Sequence, residues 1–258
     1  MSTSVHPASF VDPRAELAED VIVEPGAVIG PHVTIGKGTR IGSHALLTGW
    51  TRIGERCHIH HAALVGGAPQ DLKYSGAESY VEVGDRTVLR EFSTVHLAAE
   101  AGSTTRVGND CLIMAYAHVA HDCRIGDRVV LANAVQMAGF VTIDDWAIIG
   151  GVSAIHQFVR IGCHSMIGGC SRITQDVAPY VKVAGNPPRL AGLNGIGLER
   201  RGIPEGARTA LDRAYRTLFR RGLTVTAAVA ALRSEFGTVP EVEHLARFAE
   251  TSVRGLTR

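Results

Sequence analysis

The chain lacks an apolar run long enough to cross a membrane, and its N-terminal region shows no signal peptide. We therefore expect a soluble cytoplasmic protein without membrane insertion. An excess of either charge is also missing: 26 Lys and Arg residues stand against 25 Asp and Glu residues, and the net charge of +1 argues against a dedicated nucleic-acid-binding protein. Disulfides are not expected, because the five cysteines are an odd number. No Ser or Cys lies in a recognisable nucleophile elbow, which gives covalent catalysis little support.

What the sequence does contain is a six-residue repeat. The first block of repeating aliphatic residues comprises Val11, Leu17, Val23, Ile29, Ile35, Ile41, Leu47, Ile53, Ile59 and Val65. The same spacing resumes at Val83, Leu89 and Val95, and then at Val107, Ile113, Val119, Ile125, Leu131, Met137, Ile143, Ile149, Ile155, Ile161, Ile167 and Ile173. A small or β-branched residue stands two positions before each residue of the first block, and Gly often follows. Strict self-similarity at this short period predicts a parallel β-helix.

The repeat also predicts the domain organisation. An 18-residue coil of three short strands uses three hexads, so the 25 hexads form about eight coils, stacked roughly 40 Å high. The fold class is mainly β, with the β-helix at 1–191 and a C-terminal α-helical domain at 192–258. In the second domain the apolar residues take a helical spacing, and Pro204, Thr224 and Pro240 stand where helices should begin.

The hexads are interrupted at 66–77 and at 97–104. Both segments are polar or contain Gly, so we predict loops that project from the prism, where functional groups are commonly placed. Cys57, Cys111 and Cys123 occupy the small position two residues before an interior aliphatic residue. We interpret these cysteines as packing residues.

The segment AHVAHDC at 117–123 combines two histidines with a carboxylate. His118 immediately precedes the interior Val119, whereas His121 and Asp122 follow it, near the next corner of the prism. A His oriented by a neighbouring carboxylate gains basicity and suits general-base chemistry near neutral pH. The alternative is a zinc site of the γ-class carbonic anhydrase type, with a third His from another coil or subunit, although the close ligands of those enzymes are spaced more widely.

Several longer motifs stand on this repeat: QDLKY at 70–74, AHVAHDC at 117–123, AIIGG at 147–151, AIHQF at 154–158, IGGCS at 167–171, QDVAPYV at 175–181, GLERRG at 197–202 and SVRGL at 252–256. Through them nearly the whole chain resembles the UDP-N-acetylglucosamine O-acyltransferase family, whose members open lipid A biosynthesis. The resemblance implies a left-handed β-helix and a homotrimer with active sites between subunits. It also implies transfer of an (R)-3-hydroxyacyl group from acyl carrier protein to the 3-hydroxyl of UDP-N-acetylglucosamine, with no cofactor beyond the phosphopantetheine of the carrier.

The same resemblance implies roles for individual residues. His121, oriented by Asp122, would be the general base, and the backbone N–H of Gly139 would stabilise the oxyanion. The remaining residues implied to contact substrate are Gln70, Asp71 and Lys73 on the first loop, His96, His118, His156 and Gln157 along the cleft, Asn194, Arg200 and Arg201 near the nucleotide, and Gly169 at the position that limits acyl length. A Gly at position 169 leaves room for a longer acyl chain.

Three places depart from the family's usual residues. Leu97, Ala98 and Ala99 stand where the family usually has Arg-Gly-Thr, Phe140 stands where well-known members carry His, and Ile196 replaces a Glu of some members. None of these is the implied base. An amino-sugar nucleotide acceptor, which would give an amide, stays open as an alternative.

Overall fold

Short parallel strands form a three-faced prism in the computed structural model, which describes residues 3–258. Neighbouring strands on a face pair residues one coil apart, as Ile22 pairs with Arg40 and Val23 with Ile41. The three faces hold ten, nine and eight parallel strands in the described residues. The parallel β-helix predicted from the hexads is therefore confirmed.

The faces are named A, B and C in the order in which the chain visits them. Face A comprises Ser4–Val5, Ile22–Val23, Arg40–Ile41, His58–Ile59, Val88–Leu89, Leu112–Ile113, Val130–Leu131, Ile148–Ile149, Met166–Ile167 and Val181–Ala184, followed by the antiparallel strand Arg189–Leu193. Face B comprises Phe10–Val11, Val28–Ile29, Leu46–Leu47, Leu64–Gly67, Thr94–His96, His118–Val119, Gln136–Met137, Ala154–Ile155 and Arg172–Ile173. Face C comprises Glu16–Leu17, Val33–Ile35, Trp50–Ile53, Tyr80–Val83, Thr104–Val107, Arg124–Ile125, Thr142–Ile143 and Arg160–Ile161.

The hexad aliphatics fill the interior of the prism. From Val23 to Ile173 they are almost completely buried, and only the first two, Val11 and Leu17, remain partly exposed at the open end. Cys57, Cys111 and Cys123 are buried and free, as their position in the repeat predicted. Burial raises the pKa of the Cys123 thiol to about 12, so this sulfur stays protonated and inert near neutral pH.

The corners of the prism need small residues because successive coils come very close there. A Cβ added to Gly36 would lie 2.6 Å from the carbonyl oxygen of Gly54 in the next coil, and one added to Gly42 would lie 2.8 Å from that of Ile59. Real Cβ atoms do not approach a backbone this closely. Other turn residues adopt a left-handed backbone instead, among them Asp122 with a φ of 58°.

The two interruptions differ in how far they leave the prism. The first separates the strands Leu64–Gly67 and Tyr80–Val83, and its Leu72 is fully exposed. The second projects less than expected, because Leu97 and Ala98 are buried and the Leu97 N–H donates to the carbonyl of Gly67 at 2.9 Å. Only the residues after Ala98 reach the surface.

Four helices follow the last strand. They are α1 at Gly195–Arg200, α2 at Glu205–Arg220, α3 at Val225–Phe236 and α4 at Pro240–Glu250. The expected helix starts are confirmed: Pro204 and Thr224 precede α2 and α3, Pro240 begins α4, and the Thr224 hydroxyl accepts a hydrogen bond from the Ala227 N–H at 3.2 Å. None of the helices in residues 3–258 is both long and apolar enough to span a bilayer.

Candidate active site

A cleft of about 870 Å³ lies along the corner between faces B and C. One side is the loop that contains QDLKY, and the other consists of turns that follow three successive face B strands. The implied site residues that line it are Gln70, Asp71, Lys73, His118, His121, Gly139 and Gln157. The fold therefore brings together side chains that are far apart in the sequence.

His121 and Asp122 form the polar centre of this cleft. His121 Nδ1 lies 2.9 Å from Asp122 Oδ2, and the side chains are 13% and 7% exposed. The same carboxylate oxygen accepts the Ala99 N–H at 3.0 Å, and the Asp122 N–H donates to the Thr105 hydroxyl at 2.8 Å. Because a carboxylate accepts, His121 Nδ1 donates the hydrogen bond, and in the neutral tautomer this leaves the lone pair on Nε2. The second interruption thus holds the carboxylate that orients the imidazole.

His118 lies beside this pair on the outer side of face B. Its Nδ1 is 2.6 Å from the Thr94 hydroxyl, and its ring meets the edge of His96 with the centroids 4.8 Å apart. Burial, with smaller contributions from His96 and His121, lowers the pKa of His118 to about 4, so this ring is neutral near pH 7. His96 is itself buried behind His118 and is not among the residues that line the cleft in the described chain.

Because Gly139 has no side chain, the His121 ring can pack directly against its backbone. A Cβ at Gly139 would lie 2.6 Å from His121 Nε2 and would also collide with Cε1. The Gly139 N–H donates to no acceptor in residues 3–258. Phe140 follows with its ring perpendicular to His121 at 5.3 Å and stacked on Phe158 at 4.9 Å, which gives this side of the cleft an apolar wall.

The first loop supplies the opposite wall. Its conformation is set locally: the Lys73 N–H donates to Asp71 Oδ1 at 2.9 Å, and the Tyr74 hydroxyl donates to the Ala77 carbonyl at 3.2 Å. Gln157 faces this loop across the cleft, whereas the preceding His156 turns its Nδ1 towards the Gln157 carbonyl at 3.2 Å and does not line the cleft as described.

The other implied site residues lie at different corners of the prism. Asn194 and Arg201 are at the corner between faces C and A, where the Asn194 side chain donates to the His164 carbonyl at 2.9 Å, and Arg200 is the last residue of α1. Gly169 is at the corner between faces A and B, after the strand Met166–Ile167. One copy of the chain therefore does not bring all implied residues into one cleft.

The zinc alternative lacks a ligand set within one chain. His118 and His121 do lie in the same cleft. Throughout the part of the chain that the structure describes, however, no three His, Cys, Asp or Glu side chains are grouped so that they could hold a metal ion. The Nδ1 atoms of both rings are already engaged, by Thr94 and by Asp122.

Comparisons with known proteins decide the family. Residues 176–257 match the family model of UDP N-acetylglucosamine O-acyltransferase, domain 2, and residues 104–139 match that of bacterial transferase hexapeptide repeats. An acyl-[acyl-carrier-protein]–UDP-N-acetylglucosamine O-acyltransferase from Trichlorobacter lovleyi is 54% identical over 99% of both chains. Its namesake from Chlamydia muridarum is 52% identical over 99% of this chain and 92% of its own. The chain belongs to the UDP-N-acetylglucosamine O-acyltransferase family.

The solved structures agree with this assignment. LpxA from Acinetobacter baumannii is 41% identical and superimposes with a TM-score of 0.94, covering 98% of this chain and 99% of its own. The likeness thus includes the β-helix and the C-terminal helices together. The chain is an acyltransferase of the hexapeptide-repeat type, as the sequence motifs predicted.

Gln136 in the cleft of this acyltransferase and Thr105, buried beneath it, were not expected from the sequence. Gln136 lines the cleft because it pairs directly with His118 on the neighbouring strand of face B. Thr105 fixes the turn at Asp122 from the coil below. One coil contains 18 residues, and Gln136 follows His118 by 18, so the repeat could have predicted that the two residues are neighbours on face B. The same register places Thr105 one coil below Cys123 and so beside the turn at Asp122, although the repeat alone does not predict the hydrogen bond.

Proposed function

We propose that this acyltransferase moves an (R)-3-hydroxyacyl group from acyl carrier protein to the 3-hydroxyl of UDP-N-acetylglucosamine, with His121 as the general base. The observation that carries the proposal is the pairing of His121 Nδ1 with Asp122 at 2.9 Å, which leaves Nε2 free beside Gly139 in the cleft. The names of the relatives supply the substrates, since both are acyl-[acyl-carrier-protein]–UDP-N-acetylglucosamine O-acyltransferases. The product is the first intermediate of lipid A biosynthesis.

The reaction needs one base and one oxyanion donor. His121 Nε2 takes the proton of the sugar hydroxyl, and that oxygen forms a bond to the thioester carbonyl carbon. The unpaired N–H of Gly139 then donates to the oxyanion, an interaction worth about 3 kcal/mol per donor. When the tetrahedral intermediate collapses, the C–S bond breaks and the thiolate of the carrier takes the proton from His121. The acyl group is already activated on the carrier's phosphopantetheine, so we infer no resident cofactor.

We infer that the complete active site lies between two copies of the chain in a homotrimer. Asn194 and Arg201 lie at the corner between faces C and A, with face C separating them from His121. One cleft can contain both sets when one copy supplies the base and its neighbour supplies the nucleotide-binding side chains. The outward residues of face A favour burial against a neighbour, because they form an apolar row: Val88, Leu112, Val130, Ile148 and Met166.

The base is tested by an acyl-transfer assay on His121→Ala. We expect turnover to fall by about 10²–10⁴-fold, the usual contribution of a general base, with the oligomer intact by size-exclusion chromatography. His61→Ala is the matched control, because His61 is exposed and, like His121, stands two residues after an interior aliphatic residue, here at the corner between faces A and B. Near-normal turnover of His121→Ala would remove His121 from the mechanism.

The acceptor is tested in the same assay. Carrier proteins loaded with hydroxyacyl chains of graded length are offered with UDP-N-acetylglucosamine or with its 3-amino analogue. We expect transfer to the hydroxyl, giving an ester that mild base hydrolyses. Transfer to the 3-amino analogue alone, giving a base-stable amide, would contradict the proposed acceptor.

The shared site is tested by subunit complementation. His121→Ala and Arg201→Ala are each expected to be impaired, and the two are unfolded and refolded together in equal amounts. In mixed trimers about a quarter of the sites combine an intact His121 with an intact Arg201 from the neighbour, so about a quarter of the wild-type activity should return. No recovery in verified mixed trimers would place both residues in a site within one copy.

A further inference from the structure

His164 lies at the corner between faces C and A, in the turn that joins Arg160–Ile161 to Met166–Ile167. Its ring is stacked between two aromatic rings, Trp146 with centroids 6.0 Å apart and Tyr180 with centroids 5.8 Å apart. The ring planes are inclined by 10° and 21°, so the three rings form one column along the corner. This stacking fixes the orientation of the imidazole.

Two residues of the inferred nucleotide subsite converge on His164. The backbone carbonyl of His164 accepts the Asn194 side-chain N–H at 2.9 Å, and its ring Nδ1 lies 3.2 Å from Arg201 Nη1. Because a guanidinium group only donates, Nδ1 is the acceptor and His164 is the neutral tautomer with the proton on Nε2. Burial, followed by the charge of Arg201, lowers the pKa of His164 to about 4, which agrees with that assignment.

Arg201 is held firmly but left without a counter-charge. Its guanidinium group lies over the Trp146 ring, 5.2 Å from the centroid, in addition to its contact with His164. No carboxylate forms an ion pair with Arg201 in residues 3–258, and the bond to His164 is its single side-chain hydrogen bond there. Four of its five N–H groups are therefore free to bind a ligand, and a fixed guanidinium fork suits a phosphate group.

We propose that His164 is a positioning residue of the nucleotide subsite, which orients Asn194 and Arg201 to bind the diphosphate-linked sugar nucleotide. The inference rests on the proposed function, which assigns UDP-N-acetylglucosamine to these two side chains. His164 acts through Arg201 and does not take part in the acyl transfer at His121. Trp146 and Tyr180 contribute by holding the His164 ring between them.

Two substitutions distinguish the contribution of the Nδ1 acceptor of His164 from that of its stacked ring. His164→Phe keeps an aromatic ring in the column but removes the acceptor for Arg201. A Phe fits this backbone, because Phe140 and Phe158 occupy equivalent turns at φ values of 61° and 64°, close to the 55° of His164. His164→Asn loses the ring but keeps an acceptor near the position of Nδ1, and Asn tolerates positive φ.

Isothermal titration calorimetry with UDP-N-acetylglucosamine, together with steady-state kinetics, measures the result. We expect His164→Phe to raise the Kd and the KM for the sugar nucleotide about tenfold, the scale of one charge-assisted hydrogen bond, while the KM for the acyl donor stays unchanged and kcat changes less than about threefold. His164→Asn should restore the Kd to within about threefold of the wild type. A wild-type Kd for His164→Phe would overturn the positioning role.

The pH profile gives a readout that packing alone does not move. The charged or titratable groups that face His164 are Arg201, Asp145, His244 and Tyr180, and burial raises the pKa of the Tyr180 hydroxyl so that it stays neutral. As the pH falls from about 7 towards 4, protonation of His164 replaces the acceptor by a second positive charge beside Arg201, so wild-type affinity should weaken more steeply than that of His164→Phe. Parallel profiles for the two proteins would contradict the inference.

Controls distinguish this inference from the proposed function. If the wild type does not bind UDP-N-acetylglucosamine, both fail together. If the wild type binds and both His164 variants match it, the positioning role fails and the proposed function stands. His44→Phe makes the same substitution at another positive-φ turn, φ 57°, and should leave the nucleotide Kd unchanged.

Discussion

The contact between Gly139 and His121 yields a prediction whose size follows from the structure. In Gly139→Ala the new Cβ would lie 2.6 Å from His121 Nε2 and closer still to Cε1, whereas ordinary contacts begin at 3.4 Å, so the ring must move by at least about 0.8 Å. That movement strains the 2.9 Å hydrogen bond between His121 Nδ1 and Asp122 and shifts the proposed base from the proposed acceptor hydroxyl. A misplacement of about 1 Å can cost about 10²-fold in rate, or roughly 2.7 kcal/mol.

Alanine keeps the backbone N–H of Gly139, so the loss reports on the position of His121 and not on the oxyanion donor. We expect kcat/KM to fall about 10²-fold in the acyl-transfer assay, with little change in the thermal midpoint, because Gly139 has no positive φ. Gly206→Ala is the control: a Cβ there meets no atom within 4 Å, and Ala suits a position in α2. If Gly139→Ala retained wild-type kcat/KM, the inferred crowding of the base would be wrong.

Three further measurements test the site and the fold. Asp122→Asn should lower turnover at least ~10²-fold at an unchanged thermal midpoint, because it removes the charge that stabilises protonated His121; an unchanged rate would refute this role. Acidification from about pH 7 to 5 should lower the thermal midpoint. In the folded chain the pKa values of His118 and His164 are about 4, whereas the ordinary value is 6.5, so the unfolded chain binds more protons in that window. A thermal midpoint that does not change with pH would contradict both shifts. Ile143→Ala should cost about 3 kcal/mol in urea unfolding, because it empties a fully buried interior position, and a loss below about 1 kcal/mol would contradict close packing there.

The regular part of the fold could be predicted because each interior position repeats the same physical requirement. One aliphatic side chain per hexad must fill a narrow interior. Ile29 and Ile149 occupy the same position in their hexads, and both are buried. At the two ends of the prism, the hexad position predicts burial and strand register less well. Val5 continues the six-residue spacing before Val11 but is 45% exposed, and the last face A strand, Val181–Ala184, follows Ile173 outside the register.

The geometry of the candidate site was predictable where its residues are neighbours in the sequence. His121 and Asp122 are adjacent, and a turn can place their side chains in contact. The contacts made by Ala99 and Thr105 with Asp122 depend on how one coil lies on the next, and no local pattern encodes them. Only the motifs of the family suggested that Asn194 and Arg201 belong with His121, and the structure places them at another corner.

The proposed division of the site between two corners agrees with the geometry of the solenoid. The aliphatic residues fill its interior, so polar side chains lie outside it, either on a strand, as His118 does, or at a turn, as His121 does. Each corner presents one wall of a cleft, and excluding water from the thioester needs a second wall. On the proposed mechanism, neither His121 at the corner between faces B and C nor the guanidinium of Arg201 at the next corner forms a complete site alone. On the proposed trimer, assembly supplies the missing wall, and binding of the sugar nucleotide becomes dependent on the contact between copies.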